Sequence, residues 1–149
     1  MAGTDTSRGI SPKELADILG YIPGSGFQTP WINQTPVVLY NAMPVGIGDF
    51  NSTWFDFSNL KRAMIEIVSS LDQAIIVQLV GNGVQDYATA RDMGMPQAIA
   101  IGGPLPITSV SIDIGVGIND DWHPYLGVII TTLVAPASGL LTITSYSQK

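Results

Sequence analysis

The residues best equipped for chemistry lie in one short run, Asn119-Asp120-Asp121-Trp122-His123-Pro124-Tyr125. His123 is the sole histidine, so an imidazole base has to be this ring, with Asp120 and Asp121 as carboxylates. Such a trio would serve hydrolysis or hold a metal. Adjacent aspartates on extended backbone point to opposite faces, however, and no second histidine supports the first. The run therefore reads as a polar loop between two strands, anchored by Trp122 and Tyr125 and bent at Pro124. Calcium takes about six to eight oxygens, which Asn119, Asp120, Asp121 and nearby carbonyls could offer, but the spacing is unlike the acidic loop of an EF-hand.

Other catalytic arrangements fail on their parts. A Ser-His-Asp triad would have to use His123, and no Gly-x-Ser-x-Gly elbow presents a serine; Gly24-Ser25-Gly26 is too short and lies among prolines. Carboxylates that could reach His123 from elsewhere in the chain, such as Asp49 or Asp86, have no spacing that links them to it. Gly81-Asn82-Gly83 and Gly102-Gly103 lack the Gly-x-Gly-x-x-Gly continuation into a helix and read as turns rather than phosphate cradles. With no cysteine, thiolate catalysis, Cys-ligated zinc, iron-sulfur clusters and disulfides are all excluded. The expectation is a protein that is not an enzyme and holds neither cofactor nor metal.

Binding is the better fit to the remaining residues. Trp31, Trp54, Tyr87, Trp122 and Tyr125 could stack on sugar rings, although large aromatics more commonly anchor cores and interfaces. For a sugar face the candidates are Trp122, Tyr125 and Asp121, whose loop is polar. For a protein partner they are Phe27, Trp31 and Ile32, apolar residues set among Pro23, Gly24, Gly26, Pro30 and Pro36. Basic residues number 6 against 12 acidic ones, for a net charge of -6. Lys61 and Arg62 form the one adjacent basic pair, so no stripe exists to neutralise phosphates and direct contact with nucleic acid is not expected. Charged residues are 12% of the chain and hydrophobic ones 46%, about half the usual charged share of about 25%. A surface so poor in charge is one that other subunits cover.

These candidates have to be positioned by one domain, since 149 residues is the length of a single core. The first ten residues are small, polar and aperiodic and read as a mobile arm; no cationic start followed by an apolar run marks a secretory signal. Ser11 as cap, Pro12 at the first helical position, Glu14 completing a capping box, and Leu15, Ile18 and Leu19 on one stripe predict a short helix over 12–19, ending at Gly20. Residues 20–36 follow as an extended connector. From there strands are expected over 37–40, 53–57, 63–69, 74–80, 97–101, 109–116, 126–134 and 140–146. In 109–116, Val110, Ile112, Ile114 and Val116 alternate with Ser109, Ser111, Asp113 and Gly115, the clearest half-buried strand in the chain. Residues 125–146 are apolar over a membrane-spanning length, but Pro136-Ala137-Ser138-Gly139 reads as the turn of a hairpin, and no membrane span is expected. The fold class is thus all-β, an antiparallel β-sandwich or jelly roll of about eight strands, with one short N-terminal helix and an extended N-terminal arm. Residues 1–36 form the arm, helix and connector, and 37–149 the β-sandwich domain.

Two resemblances add to this. Residues 54–60 (WFDFSNL), 63–67 (AMIEI), 75–79 (IIVQL) and the closing 139–145 (GLLTITS) resemble the strand succession of jelly-roll modules related to galactose-binding and carbohydrate-binding domains. That likeness covers residues 50–147 and implies a sugar-binding alternative. The short chain, mobile arm, proline-rich connector, low charge and compact β-domain resemble a bacteriophage capsid-decoration, or cement, protein. The second resemblance implies a structural protein of the virion, a homo-oligomer and commonly a trimer, that clamps the major capsid protein or other virion subunits. Residues 1–36 would then order on a neighbour, with Phe27 and Trp31 offsetting about 1–2 kcal/mol of backbone entropy per residue fixed.

Overall fold

In the computed structural model, residues 31–102, 108–115 and 122–149 are described. The chain divides into Met1–Trp31 and Ile32–Lys149, and the fold is that of the second unit. The helix expected over 12–19 and the arm before it lie outside the described residues.

Among the described residues ten strands follow one another: β1 (Val37–Ala42), β2 (Gly48–Asn51), β3 (Phe55–Asp56), β4 (Arg62–Ser69), β5 (Ile75–Asn82), β6 (Arg91–Asp92), β7 (Gln97–Ile99), β8 (Thr108–Gly115), β9 (Tyr125–Thr132) and β10 (Leu141–Gln148). They form two antiparallel layers. One sheet runs β1-β10-β4-β8; the other runs β2-β9-β5-β6, with β3 also on β9 and β7 also on β5. The expected all-β, antiparallel sandwich is what the chain builds. Helical structure among the described residues is confined to one 3-10 turn, Tyr87–Thr89.

Alternation with a period of two puts one face of each strand into the space between the layers. In β4, Ala63, Ile65, Ile67 and Ser69 are buried; in β10, Leu141, Ile143, Ser145 and Ser147 face them from the neighbouring ladder. The opposing sheet contributes Ile75, Val77 and Leu79 from β5 and Leu126, Val128 and Ile130 from β9. Leu39, Phe55, Phe57, Leu71, Ile99 and Ile114 complete the core. Each of the large side chains withdraws enough apolar surface to contribute about 1.5–3 kcal/mol.

The connections differ from the expected hairpins. The segments around Pro136 are strands, as the turn residues predict, but β9 and β10 belong to opposite sheets. Pro136 sits in an arch that carries the chain from one layer to the other. Gly81 and Asn82 are not a turn either: both are ladder residues of β5, opposite Leu126 and Tyr125. Two short strands, β2 and β6, are absent from the expected set, and the strand expected over 53–57 shrinks to Phe55–Asp56. Such short edge pieces carry too few residues for a period to show.

At the entry to the sandwich, Ile32 and Lys149 exchange backbone hydrogen bonds of 3.1 and 2.9 Å, and the Gln34 N–H donates to the Ser147 carbonyl at 2.9 Å. Asn33 bridges Gln148. Residues 32–34 are therefore paired with the end of β10 ahead of β1.

Candidate interaction surface

The register places four loops at one end of the sandwich. Ala42, Leu141, Ser69 and Thr108 are successive neighbours across the first sheet, and Gly48, Thr132, Ile75 and Ile99 across the second. Loops 43–47, 70–74 and 133–140, and residues 100–102 after β7, consequently leave from the same end. Of their described residues, Val45, Ile47, Ile101, Leu133, Val134 and Leu140 are exposed, Ile47 to 71% and Leu133 to 67%. Asp72 is the single ionisable side chain among those described loop residues. The opposite end carries Asp56, Lys61, Arg62, Asp86 and Lys149. The sandwich thus has an apolar end and a charged end.

Hydrogen bonds hold the apolar loops in place. The Asp72 carboxylate accepts from the Ala137 N–H at 3.0 Å, the Asp72 N–H donates to the Ser138 carbonyl at 3.2 Å, and the Ser70 N–H donates to the Leu140 carbonyl at 2.9 Å. Gly139, at φ +99°, brings its backbone against Ser70, where a side chain would collide with the carbonyl. On the neighbouring loop the Thr132 hydroxyl donates to the Gly46 carbonyl at 2.8 Å, and the Gly48 N–H donates to the same hydroxyl at 3.1 Å. A scaffold of this kind presents apolar side chains already ordered, which lowers the entropy lost when a partner covers them.

The residues singled out in the sequence are scattered. Phe27 and Asp121 lie outside the described residues. Trp31 and Ile32 are both exposed, Ile32 on the segment paired with Lys149. Trp122 is 51% exposed, whereas Tyr125 is half-buried at the start of β9 between Asp56 and Asn82. Trp122 and Tyr125 do not stack on one another; Trp54 instead meets Tyr87, at 4.3 Å between ring centroids and 32° between planes. Those two rings cover each other and do not make a flat sugar platform. Tyr87 is further held by its hydroxyl, which donates to the Ser52 carbonyl at 2.8 Å, and burial pushes its phenol above the usual range.

His123 occupies a packing position. Its ring fills the place beside Gly81 and the Met93 sulfur that a Cβ on Gly81 would need, and its Nε2 is buried without a hydrogen-bond partner among the described residues. Asp49 accepts the Thr131 hydroxyl at 2.7 Å, and Asp86 caps the 3-10 turn by accepting the Ala88 N–H at 2.9 Å. Neither carboxylate is brought to His123 by these contacts. Among the described residues no group of three acidic or histidine side chains could hold a metal, and no helix is long and apolar enough to cross a membrane.

The apolar end was not foreseen from the sequence. Its signal is the make-up of the loops, MPVGI at 43–47 and LVAPASGL at 133–140, which keep Val, Ile and Leu where connections between strands ordinarily carry polar groups. Models of known protein families give no match to this chain, and neither do curated proteins.

Proposed function

We propose that this is a structural virion protein, a capsid-decoration subunit that seats the apolar end of a jelly roll on the capsid lattice. The observation that carries the reading is the set of exposed apolar side chains Val45, Ile47, Leu133 and Val134 on hydrogen-bonded loops at the end of the sandwich where Asp72 is the one ionisable side chain among the described loop residues. Monomeric proteins rarely leave such a cluster open, and a lattice of protein subunits is a partner that would cover it. The jelly-roll assignment is supported by the path of the chain, which passes from one sheet to the other at β1 to β2, β3 to β4, β4 to β5, β7 to β8, β8 to β9 and β9 to β10. The exposed Trp31 and Ile32 supply a second contact for a neighbouring subunit.

Co-sedimentation with capsids that lack the protein tests this. Wild-type protein is expected to pellet with them, and the double variant Ile47→Asp/Leu133→Asp to remain in the supernatant while keeping the circular dichroism of the parent. Pelleting by the variant equal to wild type removes the apolar end from the function. Failure of the wild type to pellet, together with a tryptophan fluorescence change on adding oligosaccharides, moves the assignment to a carbohydrate-binding module centred on Trp122.

A further inference from the structure

A sandwich has four sheet edges, each a row of unpaired N–H and C=O groups that can capture another strand. Three of these are blunted. On the second sheet, β2 and β3 are 4 and 2 residues long, and β6 and β7 are 2 and 3. Gly94 at φ +73° and Pro96 break the run between β6 and β7. On the first sheet, β1 shifts register between Val38 and Tyr40, and its Leu39 carbonyl accepts both the Thr53 N–H at 2.9 Å and the Thr53 hydroxyl at 3.1 Å.

The fourth edge has none of these devices. β8 is 8 residues long and pairs with β4 in unbroken register from Arg62↔Gly115 to Ser69↔Thr108. It contains no proline, lysine or arginine, and its free side has no strand partner among the described residues. Val110 and Ile112 pack against the core yet stay half-exposed, with no strand beyond them on that side among the described residues.

We infer that β8 is an association edge for a second copy of this chain, pairing antiparallel with its own counterpart across a two-fold axis. The sequence of β8 is self-complementary in that arrangement. Residues directly opposite in an antiparallel pair share a face, so Ser, Asp and Ser must meet one another and Val and Ile must meet one another. Centring the pair on Ser111 sets Val110 against Ile112 of the other copy twice over, covering both half-exposed side chains, and sets each Asp113 against a Ser109 hydroxyl. Centring it on Asp113 would oppose two carboxylates, which is destabilising. The interface joins two four-stranded sheets into one of eight strands. It also closes on itself, so it yields pairs; a ring of three would need a second, different edge, and the other edges are blunted. This inference stands independently of the decoration role.

The absence of native cysteine makes the register directly testable. Opposed residues of an antiparallel pair have Cα atoms about 4.5–5.5 Å apart, within disulfide range. Light scattering of the full chain should give twice the 15.8 kDa of the monomer. Under mild oxidation S111C should shift to a linked dimer on a non-reducing gel, while S109C, which faces residue 113 of the other copy, should stay unlinked. Ser111→Lys should convert the dimer to a monomer with unchanged circular dichroism, and Ile47→Asp/Leu133→Asp should leave it a dimer. A monomeric or trimeric wild type, linkage at S109C instead of S111C, or loss of the dimer in the loop variant each overturns the pairing.

Discussion

The Tyr87 hydroxyl stands directly above Gly127, in the space that a side chain at that position of β9 would take. The tyrosine comes from the 3-10 turn after β5 and folds back over the outer face of the second sheet, stacked on Trp54 and bonded to the Ser52 carbonyl. Gly127→Ala should therefore destabilise the sandwich by about 1–3 kcal/mol, the range for overpacking a filled site. Urea denaturation checks it, and in a Tyr87→Ala background the added methyl should cost less because the obstruction is gone.

Alkaline pH should act through the same tyrosine. Burial holds the Tyr87 phenol above its ordinary 10.0, and Tyr40 is raised for the same reason. A phenol raised in the folded state gives up its proton first in the unfolded chain, so the associated stability is whole below about pH 10 and falls as pH rises through the folded value. Tyr87→Phe should flatten part of that fall. Equilibrium unfolding across pH 8–11 (roughly spanning the tyrosine range) measures it.

Tyr146 offers a surface comparison. Its hydroxyl donates to the Glu66 carboxylate at 3.2 Å, and the negative charge of Glu66 opposes ionisation of the phenol. In Glu66→Gln the Tyr146 phenol should ionise at lower pH, read by ultraviolet absorbance of phenolate, with little change in stability because the pair is exposed.

His123 and Gly81 should prove coupled. Gly81→Ala forces the imidazole and the Met93 sulfur aside, so its cost should exceed about 1 kcal/mol alone and shrink in a His123→Ala background, with an interaction energy of about 0.5–3 kcal/mol for neighbours that share a site. Equal costs in the two backgrounds would show that the ring does not fill the place of the missing side chain.

The layers of this fold were readable because β4, β5, β8, β9 and β10 are each 8 residues long, enough for alternation to show in β8 and β10 and for a run of branched apolar residues to mark β5 and β9. Leu141, Ile143 and Ser145 were legible as one face of β10 in this way. What did not show was which strands pair. The turn at Pro136 looks the same in sequence whether it joins neighbours in one sheet or passes between two, because both solutions need only a reversal there. The role of Gly81 was hidden for a related reason: a glycine in a strand made room for a ring 42 positions later, a close approach that no local pattern records. Trp54 and Tyr87 left the set of sugar-platform candidates for the same reason, because they meet each other across the second sheet from positions far apart in the chain.

The last strand of the chain lies in the middle of the first sheet, between β1 and β4. Until it arrives, β1 has no neighbour in that layer and Ile143 is missing from the centre of the core. The sandwich therefore cannot be completed until β10 is available to pair, however long the earlier strands have been formed. Pairings this distant in sequence also place the protein among slow folders, on the millisecond-to-second scale. During that interval the apolar loops and the open β8 edge are both exposed to other copies, so yield in expression should depend on temperature and concentration more steeply than the finished fold would imply.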